Sequence, residues 1–480
     1  MFQEPAFTYL TDKIPLSKEN IIGKMPKLIK RHGRAGYIAE SIHTRIILSN
    51  HTANCECGTA SLWVMPLEDM DSMTHQPYFS VNNENYGNFC LLADSPVPGD
   101  FEGSIFSICY SNHWYPQLYA KFCKGSLRDG LTPVLKGVIG AGHFRLHKDE
   151  WYQIVLSWDR TTGAIVLYAN GVLVARGDTL HGKLSFDDAK ETLYTGNPNM
   201  AMSQIEFFDY MMTDSQVNSL FESEAIIKNE NLQYELRHTY SGFDMPSFSF
   251  TPSDKWELKC DKPMNEKEDL DYFYIQGKTD AAHLTDDGVL IETDQNMLVS
   301  FADIPDKSAC YLWTEDFFSG DLYVEYEFKP LKRDGLSLIM VQCSGMQRED
   351  FMNDYPRKTN GSMMTVCWEN VRNYHWEYFR NVVDTRSDTA SHVFTKNPWG
   401  YPMGYSCQDK KLEINKWHKL QLLQEDNHIR CAIDGVLVLD ITDNSFINNG
   451  PVLNCGRIAI RCMIRTKLLL RNFKVWNKEK

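Results

Sequence analysis

The stretch that decides the fold begins Trp151-Tyr152-Gln153-Ile154-Val155-Leu156. It continues through a polar turn into Ile165-Val166-Leu167-Tyr168-Ala169-Asn170-Gly171-Val172-Leu173-Val174. The phrase returns as Trp417-His418-Lys419-Leu420-Gln421-Leu422, a turn, and Ile429-Arg430-Cys431-Ala432-Ile433-Asp434-Gly435-Val436-Leu437-Val438. Each copy reads as a strand, a turn, a second strand and a two-residue hairpin. Asn-Gly and Asp-Gly supply the positive φ angles that a type I′ turn demands. Written twice, the phrase predicts two similar all-β domains in tandem.

Length and composition agree. At 480 residues the chain is long for one domain and suits two sandwiches of roughly 200–250 residues each. With 43% hydrophobic and 23% charged residues, it reads as globular and not as disordered. The 12% aromatic share suits strands and also offers stacking surfaces. A net charge of −14 excludes a global basic field for nucleic acid or anionic lipid. No apolar run approaches the roughly 18 residues that span a bilayer, so no membrane partner is expected. Met1-Phe2-Gln3-Glu4-Pro5-Ala6 has no basic region followed by an apolar one, so no signal peptide is expected. The thirteen cysteines are scattered and odd in number, and Cys55-Glu56-Cys57 stands alone as a weak motif. Cys431 and Cys462 fall inside strand patterns, where a free thiol acts as a small hydrophobe. A reducing cytoplasm is the expected compartment; a secreted or periplasmic one follows if a leader was removed.

In the first half, Ile38–Leu48, Ala60–Leu67, Gly103–Tyr110 and Ser203–Phe208 read as strands, and Ser215–Phe221 opens a helical patch. From Glu222 to Arg237 the pattern is charged and helical, and Ser241–Ser247 and Thr251-Pro252-Ser253 follow as linker-like sequence. The expected layout is a first domain at 1–225, a linker at 226–254 and a second domain at 255–480. Gly320–Phe328, Gly335–Cys343, Ser362–Trp368, Tyr374–Phe379, Gly456–Arg461 and Leu470–Trp476 read as strands of the second half.

The hairpin Trp151–Val174, with Ile205–Tyr210 and Leu220, resembles a laminin-G-like domain of the concanavalin A-like lectin/glucanase superfamily. Residues 255–480 resemble the YesU-like family (domain of unknown function 1961). That second resemblance is carried by Asp316–Asp321, the Gly335–Gln342 strand, Tyr374–Arg380 and Leu470–Val475. Together they imply an all-β chain of two tandem concanavalin A-like jelly-roll β-sandwiches with a short helical linker, and a connection with carbohydrates.

Asn373-Tyr374-His375-Trp376-Glu377-Tyr378-Phe379-Arg380 is the densest functional candidate. Alternation places His375 and Glu377 on one face of a strand, and Tyr374, Trp376, Tyr378 and Arg380 on the other. The second set reads as a sugar platform, with Arg380 available for a carboxylate. Jelly-roll polysaccharide lyases use a Tyr or His to move the C5 proton, and Arg, Gln or Asn to neutralise the uronate. On that resemblance His375, Tyr378 and Arg380 are the expected catalytic residues, and Gln342, Tyr374, Trp376, Arg357 and Lys396 the expected substrate contacts. His375 and Tyr378 face opposite ways unless a bulge intervenes, and the bland alternative is that these aromatics fill the core.

Lys358, Arg372, Arg386, Trp399 and Tyr401 add cations and aromatics around this strand, diluted by Asp384 and Asp388. The competing chemistry is hydrolysis by the same-face pair Glu325 and Glu327, for which a solvated surface is the alternative. In the first domain Asn112, His113, Trp114 and Tyr115 are a candidate sugar contact. No cofactor or metal is called for beyond a structural calcium on Asp159 or Asp209, and Asp159 also suits a hairpin turn. Serine-hydrolase, kinase and zinc-protease motifs are missing. The expectation is a carbohydrate-active protein. Its second domain is a candidate lyase on a uronate-containing glycan, and its first binds glycan. A non-catalytic lectin and a glycoside hydrolase are the alternatives.

Overall fold

A computed structural model describes residues 4–10, 16–41, 43–48, 56–68, 88–94, 106–111, 117–122, 138–141, 144–177, 192–240, 246–293, 309–333, 335–352, 371–381, 392–398, 400–406, 412–445, 450–463 and 465–478. The chain divides into two compact units, one of Met1–Tyr240 and one of Ser241–Val382 with Ala390–Lys480. Each is a β-sandwich of two antiparallel sheets. Helices among the described residues are few and short, and none is long and apolar enough to cross a membrane.

Both copies of the repeated phrase fold alike. Ala169 pairs with Val172 around Asn170-Gly171, and Ile433 pairs with Val436 around Asp434-Gly435. The φ angles are 47° and 74° in the first turn, and 52° and 73° in the second, as a type I′ turn requires. A side-chain clamp is also repeated. Asn170 Oδ1 accepts from Gln153 N–H at 2.7 Å, and Asp434 Oδ1 accepts from Lys419 N–H at 2.8 Å. The backbone N–H groups of Asn170 and Asp434 donate back to the carbonyls of Gln153 and Lys419. A β-bulge recurs at the matching step, Leu167/Tyr168 and Cys431/Ala432.

In the first unit the hairpin sheet runs Val172–Gly177, Ala164–Ala169, Tyr152–Asp159, Cys57–Pro66, Met200–Phe208, Arg34–Ile38 and Lys27–Arg31. Trp158 of this sheet meets Phe106 and Phe122 of the opposing sheet inside the core. In the second unit the hairpin sheet runs Ala282–Thr285, Gly288–Glu292, Lys467–Lys478, Asp321–Pro330, His418–Glu425, His428–Ile433 and Val436–Thr442. Opposite it lies a sheet ordered Phe273–Gly277, Ala309–Thr314, Cys455–Met463, Gly335–Ser344, Arg372–Asn381, His392–Asn397 and Tyr401–Ser406. Leu322, Val324 and Phe328 from one sheet and Ile339, Trp376 and Ile460 from the other share one buried cluster.

Within the stretch read as a helical linker, helix Glu230–Thr239 and Phe248 are packed. Helix Glu230–Thr239 belongs to the first unit, where Gln233 Nε2 donates to the Asn170 carbonyl at 3.2 Å and Tyr240 lies 5.7 Å from Phe144. Phe248 belongs to the second, packing with Tyr323, Leu423, Ala432 and Leu437. The reason is the outer face of each hairpin sheet, which is apolar and must be covered. In the first unit helix Asp214–Glu224 does this, seating Val217 and Leu220 on Val155, Val166, Tyr168 and Phe208. Its N-terminus is closed by a Thr213/Gln216 capping box.

Cys57, Cys260, Cys310, Cys431, Cys455 and Cys462 are free thiols. A Cβ at Gly435 would meet only the Phe248 carbonyl, at 3.5 Å, whereas one at Gly171 would lie 3.1–3.2 Å from Asn218 and Phe221. Gly435→Ala is therefore expected to cost about 1 kcal/mol from the left-handed backbone alone, and Gly171→Ala more. Urea unfolding midpoints of the two variants check the ranking.

Candidate functional site

Strand Arg372–Asn381 lies between Gly335–Ser344 and His392–Asn397, so core packing decides which of its side chains reach a surface. Tyr374, Trp376 and Tyr378 all point inward and are fully buried. Tyr378 packs 4.8 Å from Phe328, and its hydroxyl shares a 2.5 Å hydrogen bond with Ser337 Oγ. Burial pushes that hydroxyl well above its ordinary pKa. The expected roles of Tyr378 as a proton carrier and of Tyr374 and Trp376 as a sugar platform are thus corrected. Their rings are the sandwich core, because large apolar area is what the inward face of a central strand supplies.

Lys396 shares that inward side. Its Nζ donates to Asp443 Oδ2 and to the Gly450 carbonyl, both at 2.7 Å, with the lysine and aspartate side chains 1% and 0% exposed. Tyr374 hydroxyl donates to the same Asp443 oxygen at 2.5 Å and accepts from Leu453 N–H at 3.0 Å. Burial holds the Lys396 ammonium below its ordinary pKa, against the opposing pull of Asp443. This closed pair is not a substrate contact. Gln342 sits at a β-bulge with φ +54° and turns inward, donating to the Gly320 carbonyl and to Gln424 Oε1. Arg380 pairs through its backbone with Leu336; its side chain, like the whole of Arg357, lies outside the described residues.

His375 and Glu377 occupy the opposite face of the sheet, away from the sandwich core, as alternation predicts, with His375 Nε2 3.8 Å from Glu377 Oε1; both are buried, as are Tyr311, Trp313 and Arg461 on the same face. Register builds the rest of that face. One row across the sheet reads Gln276, Tyr311, Arg461, Leu338, Glu377 and Val393. The next reads Tyr274, Trp313, Ala459, Met340, His375 and Thr395. Tyr311 and Trp313 are parallel, 5.7 Å apart at an interplanar angle of 2°. The Arg461 guanidinium lies 5.1 Å from the Tyr311 ring. Trp313 Nε1 donates to Gln276 Oε1 at 2.8 Å, and Phe351 meets the indole edge-on at 5.4 Å. Arg457 forks onto Asp350 at 2.8 and 2.6 Å. These bonds outweigh burial and hold the Asp350 carboxyl below its ordinary range.

Tyr311, Trp313 and Arg461 were not singled out in the sequence. The available signal was period two: Cys310-Tyr311-Leu312-Trp313 and Arg457-Ile458-Ala459-Ile460-Arg461 each set an apolar core side against an aromatic or cationic one. His392, beside Trp376, is kept neutral by burial, its pKa pushed down to about 3.

Glu325 and Glu327 lie on the other sheet and are already engaged. Glu325 accepts from Tyr323 hydroxyl at 2.7 Å and pairs with Lys419 at 2.7 Å, while Glu327 pairs with Arg471 at 2.5 Å. In the first unit Asp159 Oδ1 caps its hairpin turn by accepting from Thr161 N–H at 2.8 Å. Asn112–Tyr115 lie outside the described residues. Among those described, no group of three or more His, Cys, Asp or Glu is placed to hold a metal.

Residues 258–475 match the family described as Domain of unknown function (DUF1961). The second half of this chain is a DUF1961 domain. The chain is 21% identical over 222 residues to the Uncharacterized protein YesU of Bacillus subtilis (strain 168), a match covering 44% of this chain and 92% of that relative. Among solved structures it is similar to a protein of unknown function with galectin-like fold from Bacillus subtilis. That match has 17% identity and a TM-score of 0.39, covering 49% of this chain and 100% of the other. It is also similar to the carbohydrate binding module CBM66 from Bacillus subtilis, with 13% identity, a TM-score of 0.28 and coverage of 42% and 93%.

Within the DUF1961 domain, Tyr378→Phe is expected to lower stability by about 1 kcal/mol through the lost Ser337 bond. Lys396→Met, by stranding Asp443, is expected to cost about 3–5 kcal/mol. Urea denaturation reads both; a Lys396→Met chain as stable as the native one contradicts the buried pair.

Proposed function

We propose that the DUF1961 domain holds a saccharide chain on the outer face that carries His375, and that it opens a uronate-containing chain there by β-elimination. The observation that supports this is the register of that face. It sets Tyr311 and Trp313 beside Arg461, and Arg461 in one row with Glu377, whose neighbour is His375. Arg461 and Glu377 are two strands apart, or about 10 Å at the usual strand spacing, which suits one pyranose ring with its carboxylate. Aromatic faces take the apolar side of a sugar, and a guanidinium matches a carboxylate in two parallel hydrogen bonds.

In this reading Arg461 neutralises the uronate carboxylate, which makes the C5 proton more acidic. His375 Nε2 takes that proton, and Glu377 orients the ring and steadies the imidazolium. The C5 electron pair forms the C4=C5 double bond as the C4–O bond breaks, and the leaving oxygen takes up a proton. The first sandwich is assigned the supporting part of holding glycan, on its resemblance to laminin-G-like domains. Tyr311, Trp313 and Arg461 are 0%, 0% and 1% exposed and His375 and Glu377 6% and 4%, so this reading requires the face to open to a saccharide; a second reading, in which these groups only pack, is favoured by that burial.

Incubation with pectic, other acidic and neutral glycans, followed by unsaturated-uronate absorbance and by reducing ends, separates these readings. Both signals are expected to rise together, and His375→Ala is expected to lower turnover by about 10²–10⁴-fold. Reducing ends without the chromophore would sink elimination and favour hydrolysis. Binding with neither signal would favour the lectin.

A further inference from the structure

From the end of strand Gly335–Ser344, residues 345–352 run as a short strap to Arg457 on strand Cys455–Met463 and to Trp313 on strand Ala309–Thr314. The strap sets its shape with bonds of its own. Gly345 N–H donates to the Glu349 carbonyl and Arg348 N–H to the Gly345 carbonyl, both at 2.9 Å, and Gln347 N–H donates to Glu349 Oε2 at 2.8 Å. Two consecutive side chains then reach the sheet. Asp350 takes the fork of Arg457, with Nε donating to Oδ1 at 2.8 Å and Nη2 to Oδ2 at 2.6 Å. Phe351 meets the Trp313 ring at 5.4 Å, with the planes 77° apart. Phe351 is buried, whereas the Asp350 side chain is 36% exposed, so the fork is reached from solvent.

Asp350 and Phe351 thus set a carboxylate and an apolar ring against a guanidinium and an indole. A uronate unit of a glycan presents the same two groups, a carboxylate on a ring with an apolar side. Arg457 does not depend on Asp350 for its position, because Nη1 donates to the Thr314 carbonyl at 2.8 Å and to the Glu315 carbonyl. When Asp350 leaves, the Nε/Nη2 edge stays aimed where another carboxylate can take it in two parallel bonds. Arg457, Ala459 and Arg461 alternate along one strand, which puts both guanidiniums on the His375 face, roughly 13 Å apart by strand rise. Between them stands only the methyl group of Ala459, whose register partner is Trp313.

We propose that Arg457 and Trp313 form a second subsite for an acidic sugar, which rests on the saccharide reading of the His375 face, and that the strap fills this subsite with Asp350 and Phe351 as an internal stand-in for the ligand. Strap and ligand compete for one guanidinium edge. One carboxylate replaces another there, with no net loss of charge-assisted hydrogen bonds. Opening also frees the Trp313 ring on the side that Phe351 occupies. The affinity of the native chain is then its intrinsic affinity reduced by the fraction of chains whose strap is open. Arg457 and Arg461 serve different rings of one glycan, and the strap governs entry to the first.

Two readouts on the full chain test this. In hydrogen exchange, Asp350→Ala is expected to lower protection in residues 345–352 by about tenfold or more, with helix Glu230–Thr239 unchanged as the internal reference. In calorimetric titration with a galacturonate trimer, the same variant is expected to bind about tenfold or more tightly than the native chain, and a neutral trisaccharide no more tightly. Phe351→Ala, which keeps the fork, serves as the second variant and is expected to gain less. A loosened strap with unchanged affinity for the galacturonate trimer, or with no binding of it, overturns the subsite. Protection that stays at the native level in both variants overturns the strap. The elimination reading fails separately: trimer bound more tightly by Asp350→Ala without any unsaturated product supports the subsite and sinks elimination. Elimination with the same KM in native and Asp350→Ala chains sinks the strap and leaves elimination standing.

Discussion

An antiparallel sandwich exists because one face of each sheet is buried against the other, and that demand claims every second side chain of a strand. In the DUF1961 domain it claims Tyr374, Trp376 and Tyr378, which join Phe328, Leu422 and Ile460 in one core. The hydroxyls these rings carry inward then need partners of their own. Ser337 serves Tyr378, and Asp443 serves Tyr374. Asp443 in turn is a buried charge, which explains why Lys396 is drawn inward to pair with it. A chain of consequences runs from burying three aromatic rings to a closed ionic contact between the two sheets.

The same demand leaves the alternate positions free for other work. His375 and Glu377 face outward because Tyr374, Trp376 and Tyr378 face inward. They join a larger buried face only through the register of four neighbouring strands, which brings up Gln276, Tyr311, Trp313 and Arg461. Register in turn rests on how turns and bulges count residues. The repeated clamp, in which Asn170 or Asp434 binds the strand beside its own turn, fixes that count in the hairpin sheet of each unit.

Both hairpin sheets carry apolar groups on their outer faces, and the chain covers each in a different way. Helix Asp214–Glu224 spans one and is tied at its end by Trp63 donating to Glu224, while Phe248, Phe250 and Trp256 pack on the other. The covering segments lie between the two repeated phrases in sequence, and helix Glu230–Thr239 and Phe248, within the stretch read as a connector, are packed.

The sequence by itself determined the architecture. Asn170-Gly171 and Asp434-Gly435 can adopt left-handed angles that few other dipeptides tolerate, and the short apolar runs that flank them suit strands. It also determined which residues of Tyr374–Tyr378 share a face, since alternation is local geometry. It did not determine which face was the core. Aromatic rings suit a sugar platform and a sandwich interior equally well, and only the opposing sheet decides between them. Nor did it bring Tyr311, Trp313 and Arg461 to His375, or Trp63 to Glu224. Those meetings depend on pairing between segments far apart in the chain, a property of register and packing that no local pattern encodes.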